Sequence, residues 1–193
     1  MDVEERKNMS ELRTFVVSAS AGDREAFRHV YDFSNDKVFR FLLGQLRDRE
    51  LALDTLQETF IDLWKALPKF RFTSDEEFWG FLFTIARRKV YAVRKNAHKA
   101  NVAVDNETLE FLHESTDPHT PLHEDDRALH GALAKLGILS REVLGLRYWS
   151  ELSFKEIALA LETTENTAKV RHHRAIKELQ TYLPTSYVEQ RFI

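Results

Sequence analysis

Cysteine is absent from this chain of 193 residues. That rules out a disulfide framework, a thiolate metal site and a thiol redox switch. Glycine and proline are scarce, six and four, against fourteen Phe, a balance that favours helices over a turn-rich β fold. No apolar run approaches the roughly 20 residues of a membrane span, and the opening MDVEERKNMSE lacks the apolar stretch of a secretory leader. A cytoplasmic protein is expected. Acid is missing locally as well: no Asp or Glu stands between Phe78 and Val104, where Arg87, Arg88, Lys89, Arg94, Lys95 and Lys99 are found. Lys and Arg are then missing between Asp105 and Asp126, which hold eight acids. A net charge of −3 therefore hides two opposed blocks, and the blocks say more about partners than the total does.

What is present is helical periodicity. A short helix fits Ser10 to Ala19. Asp23 can cap a second, with Phe27, Val30, Tyr31, Val38, Phe41, Leu42 and Leu46 inward. A third is expected from about Arg49 to Leu67, stopped by Pro68, with Leu53, Leu56, Phe60, Leu63 and Leu67 buried. Ser74-Asp75-Glu76-Glu77 reads as a capping box, opening a helix with Phe78, Phe81, Leu82, Ile85 and Val93 inward that fades near Asn96. Residues 99–120, acidic and aperiodic, read as a linker. Thr120-Pro121 suits a cap and first helical position, for a helix continuing to Gly137. Ser140 is expected to open a short helix through Tyr148, and Ser153 a capped helix ending near Leu161. Thr164 caps a last helix reaching about Leu183. No segment alternates as a strand. The expected fold is all-α, two small helical domains joined by an acidic tether.

Three segments carry chemistry. On the third helix the outer face holds Asp54, Gln57, Glu58, Ile61 and Asp62. It is either a solvated face with one stray apolar residue or a docking surface. The acid-free block mixes cations with rings (Trp79, Phe81, Phe83, Tyr91), a combination that suits single-stranded DNA because bases stack on rings while cations hold the backbone. Many of those rings must be core, and Phe72, in the loop before the capping box, is the better stacking candidate. The last two helices, separated by about three residues, have helix-turn-helix spacing. Ala158, Leu161, Ala168, Ala175 and Leu179 supply a core, while Asn166, Lys169, Val170, His173, Arg174 and Lys177 face outward with Arg171 at the edge. Cations there neutralise phosphates, and Asn and Arg also read base edges. The competing reading is an αα-hairpin with a basic solvated face. His172 has core-facing spacing and suits a hydrogen-bonded histidine. His113, His119 and His123 lie among acids, but Pro118 and Pro121 break regular pairing, so no metal site is expected. No phosphate loop, nucleophile elbow or paired-carboxylate cleft stands out; neither an enzyme nor a cofactor is expected.

Taken together the two halves resemble an extracytoplasmic-function (ECF) sigma factor of the sigma-70 superfamily. The first half is similar to its domain two at Ala26-Phe27, Tyr31, Asp54 to Phe60, Phe81-Leu82 and Ile85-Ala86-Arg87. The second is similar to domain four at Ser140 to Leu144, Leu146-Arg147-Tyr148, Leu152 to Ala158, Thr167 to Arg171 and His173-Arg174-Ala175. The resemblance implies a dissociable RNA polymerase subunit that performs no covalent chemistry. Domain two (10–98) would bind core polymerase through Asp54, Gln57, Glu58, Ile61 and Asp62. It would open the minus-ten element with Phe72, Trp79, Arg87, Arg88, Lys89, Tyr91, Arg94 and Lys95. Residues 99–120 would thread toward the polymerase active site and RNA exit channel. Domain four (121–183) would read the minus-thirty-five element through Asn166, Lys169, Val170, Arg171, His173, Arg174 and Lys177, leaving 184–193 as a tail. Neither an intermediate domain nor a long C-terminal extension is seen, which separates the chain from housekeeping sigma factors.

The sequence departs from the family pattern at Arg88 and Ala92, usually Asn and Asp, and at Glu162 and Thr163, usually Gly and Ile. Leu51 and Leu53 replace acids, so the docking face is short of charge. Phosphorylation of Thr55 or Thr59 by a Ser/Thr kinase would add roughly −1.5 to −2 charge there. An anti-sigma factor is a further candidate partner. Two other readings remain open at this point: a helix-turn-helix regulator that does not engage polymerase, and a sigma-mimic adaptor that binds an anti-sigma factor.

Overall fold

The computed structural model describes residues 3–102 and 124–183, and among these every regular element is helical. The first half holds α1 (Val3–Ser20), α2 (Arg24–Leu46), α3 (Arg49–Ala66) and α4 (Asp75–Val102). α1 begins earlier than the expected Ser10. The Asp23 carboxylate accepts from the N–H groups of Glu25 and Ala26 at 2.9 and 3.1 Å and so starts α2. Asp48 does the same for α3, accepting from Leu51 N–H at 2.9 Å. Pro68 sits in a 3₁₀ turn (Leu67–Lys69) where its missing N–H leaves no helical bond unmade. Ser74 accepts from Glu77 N–H at 3.3 Å to open α4, which runs past the expected Asn96 to Val102.

The core of this half is Val16, Val30, Val38, Phe41, Leu42, Leu56, Phe60, Leu63, Phe78, Leu82 and Phe83, all buried. The inward row of α3 differs from the expected one. It is Ala52, Thr55, Leu56, Thr59, Phe60 and Leu63, whereas Leu53 is 40% exposed. Ala52 occupies the slot four residues before Leu56, which turns Leu53 onto the outer row with Gln57 and Ile61. Phe81 and Ile85 of α4 pack against this core as expected, though only half-buried, and Val93 is half-buried too.

The second half holds α5 (Glu124–Lys135), α6 (Ile138–Leu144), a π-helical turn (Gly145–Trp149), α7 (Phe154–Ala160) and α8 (Glu165–Tyr182). Ser140 does not open α6. The helix starts two residues earlier, and Ser140 Oγ instead donates to Glu178 Oε2 at 2.6 Å while Gly137 N–H donates to Glu178 Oε1 at 3.2 Å. Ser153 and Glu156 form the expected reciprocal capping box on α7. Thr164 caps α8, accepting from Thr167 N–H at 3.2 Å. The expected linker beyond Val102, the Thr120-Pro121 helix start and the histidines 113, 119 and 123 lie outside the described residues.

The turn between α7 and α8 closes with two hydrogen bonds, Thr163 N–H to Ala158 O at 2.8 Å and Glu162 N–H to Leu159 O at 3.1 Å. This is a Schellman motif, whose central residue must be left-handed. Glu162 takes that role at φ 51°, where glycine would do so without Cβ crowding. The substitution Glu162→Gly is expected to raise stability by about 1 kcal/mol, read as a higher denaturant midpoint for the full chain.

The two halves do not stand apart. α7 lies along α4, and the π-helical turn lies against α2. A Cβ on Gly44 of α2 would stand 3.0 Å from the Trp149 ring, so that glycine admits the indole.

Candidate nucleic-acid interface

On α8 the spacing of Ala168, Ala175 and Leu179 buries one face. The opposite face leaves Asn166, Lys169, Val170, His173, Arg174 and Lys177 exposed, with Arg171 half-buried at the edge, as the sequence suggests. Lys169 pairs with Glu165 of the same helix at 2.6 Å, and its ammonium lies 5.9 Å from the Phe154 ring of α7. His172 points between these faces. Its Nε2 lies 3.1 Å from the Tyr148 hydroxyl and its ring meets Phe154 edge-on. Burial, with Arg147 and His173 nearby, lowers its pKa and keeps the ring neutral near pH 7.

On α3, Asp54, Gln57, Glu58 and Ile61 are exposed and Asp62 is half-buried. Ile61 is 52% exposed, and Leu53 belongs with it. Leu53, Gln57 and Ile61 share one row at i, i+4, i+8, flanked by acids. Sequence periodicity missed Leu53 by counting it as core. Its signal was the departure from the family's acidic pattern. Thr55 and Thr59 are not on this surface. They are 2% and 0% exposed, and their hydroxyls donate to Leu51 O at 2.6 Å and Thr55 O at 2.7 Å. Neither hydroxyl is open to a kinase in this fold, which corrects the phosphorylation reading. A carboxylate at either site would be buried without a cation. Thr59→Glu is therefore expected to lose about 3 kcal/mol of stability, measured by denaturant unfolding, with no gain in affinity for core polymerase.

The basic block of α4 is divided. Tyr91 is 69% exposed, and Lys95 is exposed. Phe72 is half-buried, its ring edge-on to Phe70. Trp79 is only 6% exposed, packed among Phe33, Phe78 and Phe83 with the Lys37 ammonium 5.2 Å from its ring. It is core, not a stacking platform. Lys89 reaches back to α3, 2.7 Å from Asp62 and 3.2 Å from Glu58, and these carboxylates raise its pKa, Asp62 foremost. Arg94 donates to the backbone oxygen and Oε1 of Gln45 at 2.9 and 3.1 Å.

Arg87 and Arg88 reach the second half. Arg87 Nη2 donates to Glu142 Oε2 at 3.1 Å. Its Nε lies 2.9 Å from Oε1, an ion-pair contact outside hydrogen-bond alignment. Its Nη1 donates to Ala160 O, and Thr84 Oγ1 donates to the same carbonyl at 3.3 Å. Arg88 pairs with Glu162 at 2.9 Å. In this arrangement Arg87 cannot touch a phosphate. The acids that hold these cations lie more than 50 residues away in sequence, and nothing in the local pattern marks them.

Two family profiles match the chain, Sigma-70 region 2 over residues 34–99 and Sigma-70, region 4 over residues 126–179. A relative described as ECF RNA polymerase sigma factor SigD of Mycobacterium bovis is 32% identical over 179 residues, 88% of this chain and 82% of that protein. The chain is an ECF sigma factor. The ECF RNA polymerase sigma factor BldN of Streptomyces coelicolor is 27% identical over 90% of this chain, which spans 66% of that protein's length. Among solved structures, the sigma factor RpoE of Bartonella quintana, in complex with the anti-sigma factor NepR, matches 81% of this chain and 95% of its own, with TM-score 0.64 and 23% identity, a likeness of fold. Sigma factors of this family are transcription initiation factors, and the match to both halves removes the reading of a lone helix-turn-helix regulator. No described helix is long and apolar enough to cross a membrane.

One ion pair of this ECF factor can be read by pH. Glu76 lies 2.9 Å from Lys155 of α7, and that bond, helped by Ser74, lowers its pKa to about 2. A carboxylate with a depressed folded pKa stabilises the fold above its ordinary value of 4.5, and that contribution fades as pH falls toward about 2. The side chains are largely in water, so the effect on stability is small. NMR titration of the Glu76 carboxyl is expected to give a midpoint near 2 that rises toward 4.5 in Lys155→Ala.

Proposed function

We propose that this ECF sigma factor brings core RNA polymerase to its promoters by dividing the task between its two halves. Residues 10–98 act as domain two and residues 121–183 as domain four, with 99–120 as the tether between them. The observation that carries the assignment is the outer face of α8. A capped helix follows a Schellman turn, its inner face is packed, and its outer face presents Asn166, Lys169, Val170, His173, Arg174 and Lys177 to solvent. That is the form of a recognition helix that reads the minus-thirty-five element in the major groove. Lys169, Lys177 and the edge residue Arg171 hold phosphates, whereas Asn166 and Arg174 suit base edges.

Core polymerase is bound by the α3 face. Leu53 and Ile61 provide apolar contact, and Asp54, Gln57 and Glu58 give polar direction toward a basic partner. Lys89 shares Glu58 and Asp62, so part of that acid is neutralised before any partner arrives. The minus-ten element is held by Phe72, Tyr91 and Lys95, with Arg87, Arg88 and Arg94 available only if their present contacts are released. An anti-sigma factor is proposed as a regulator, because the structural neighbour RpoE was solved in complex with the anti-sigma factor NepR. The site of action is the cytoplasm, where the polymerase works.

Transcription reconstituted from purified core polymerase and genomic promoter fragments tests the proposal. The wild-type chain is expected to direct specific initiation. Arg174→Ala is expected to lower initiation roughly tenfold, for the loss of a base contact of about 1–3 kcal/mol, and to relax specificity at one minus-thirty-five position. Glu58→Lys is expected to weaken core binding without altering the affinity of isolated promoter DNA for domain four. Initiation indifferent to both changes would contradict the assignment.

A further inference from the structure

Beside the outer face of α8, the π-helical turn presents a polar group that the recognition helix does not itself supply. Tyr148 is 58% exposed, and its hydroxyl lies 3.1 Å from His172 Nε2. His172 and Lys169 are neighbours one turn apart on α8. Both sit against Phe154, the first residue of α7: the His172 ring meets it edge-on at 5.2 Å, and the Lys169 ammonium stands 5.9 Å from its ring. Tyr148 therefore borders the flank of α8 that carries Lys169, next to the outward row. Arg147 stands 5.1 Å from the same Phe154 ring and donates to Leu152 O at 2.8 Å. The acids of this corner are turned elsewhere. Glu165 meets Lys169 at 2.6 Å, Glu156 accepts from Ser153 N–H at 2.6 Å, and Glu151 faces Arg40 and Lys37 of α2 at 3.6 and 4.0 Å. Lys155 of α7 is turned to Glu76 at 2.9 Å. His172 thus faces Arg147 and Tyr148 from the π-helical turn, Lys169 and His173 from its own helix, and the uncharged Phe154 from α7. Burial first, then Arg147 and His173, disfavours its imidazolium. A corner that gathers like charges around a half-buried imidazole is complementary to an anion.

We propose that Tyr148, oriented by His172, is a further DNA contact of this factor: its hydroxyl donates to a backbone phosphate beside the stretch that α8 reads. The inference rests on the assignment of α8 to the minus-thirty-five element. The hydroxyl has one proton to give. When neutral His172 carries its own proton on Nδ1, Nε2 accepts from Tyr148 and nothing is left for a phosphate. When Nε2 carries a proton, it donates to the Tyr148 oxygen and frees the O–H to point outward. Imidazolium permits only this second arrangement, and it adds a positive charge behind the phosphate. A phosphate at Tyr148 accordingly raises the His172 pKa above its value in the free chain, so DNA binding and proton uptake favour each other. The free value lies below the ordinary 6.5, and affinity rises as pH falls through the interval between the free and the bound pKa. A phosphate contact is blind to base sequence, so Tyr148 adds affinity and register without choosing the promoter.

Fluorescence anisotropy of the full chain with two labelled duplexes tests this. One duplex carries the minus-thirty-five element of a promoter that the chain transcribes, and the other has that element scrambled. Tyr148→Phe keeps the ring and removes only the hydroxyl. It is expected to weaken binding of both duplexes equally, about three- to tenfold, which a loss of base reading would not do. From about pH 8 to about pH 5.5 the wild type is expected to gain about three- to tenfold in affinity, the equivalent of a pKa shift of roughly half to one unit. His173, exposed on the outer face, adds to any such gain, so the decisive comparison is with His172→Leu. That variant keeps an apolar contact with Phe154 and is expected to lose most of the gain. His172→Gln supplies a neutral N–H donor to Tyr148 and is expected to restore wild-type affinity at the higher pH without the gain. Unchanged affinity in Tyr148→Phe, or a loss confined to the intact element, would overturn the contact. A full pH response in His172→Leu would overturn the role of His172. If the wild type does not distinguish the two duplexes, or Arg174→Ala leaves that distinction unchanged, the assignment of α8 falls instead, so the two failures are told apart.

Discussion

The structure turns on the close approach of two helices at Gly80. Gly80 of α4 brings no side chain of its own to that contact, so Leu159 of α7 packs directly on the α4 backbone. Arg87 bridges Glu142 and the end of α7, and Thr84 shares the same carbonyl. A larger residue at position 80 would move α7 outward and take each of these bonds out of reach. The packing decides which surfaces stay in water. The outer row of α3 and the outer face of α8 point away from the contact, whereas the centre of α4 points into it. The outer faces of α3 and α8 are thus exposed, whereas Arg87 at the centre of α4 is held in the contact.

Much of this fold was legible in the sequence because helix ends are local. Asp23, Ser74, Ser153 and Thr164 each act within three residues of themselves, and all four cap as their spacing implies. The recognition face of α8 was legible for the same reason: small core residues at helical spacing fix which side is left outside. The α3 row was not, because Ala52 and Leu53 both satisfy an apolar period. Two buried threonines, bonded to carbonyls one turn back, complete the inner face where leucine was expected. Periodicity says which residues leave water, not which of two adjacent rows does so.

The basic block of α4 misled for a different reason. A run of cations without acids has the composition of a nucleic-acid surface, but composition does not show which cations already have partners. Lys89 is engaged with the acids of the docking face, Arg94 with Gln45, and Arg87 with a carboxylate 55 residues downstream. Trp79 completes the core and leaves Tyr91 as the exposed ring. Charge in this block therefore serves the fold: Arg87 and Arg88 pair with Glu142 and Glu162 of the second half. Lys89 likewise neutralises part of the acid on α3, whose outer row is partly apolar at Leu53 and Ile61.

The central claim is that the two halves pack directly on each other at Gly80. Glu76 and Lys155 are in direct contact across the two halves, 2.9 Å apart, and a zero-length carbodiimide joins a carboxylate to an amine only at such contact. Mass spectrometry of the cross-linked free chain is predicted to find the Glu76–Lys155 amide. The same treatment of Gly80→Leu, whose added side chain would wedge α7 away from α4, is predicted to find it absent. A Glu76–Lys155 cross-link that persists in Gly80→Leu, or that never forms in the wild-type chain, would contradict the account.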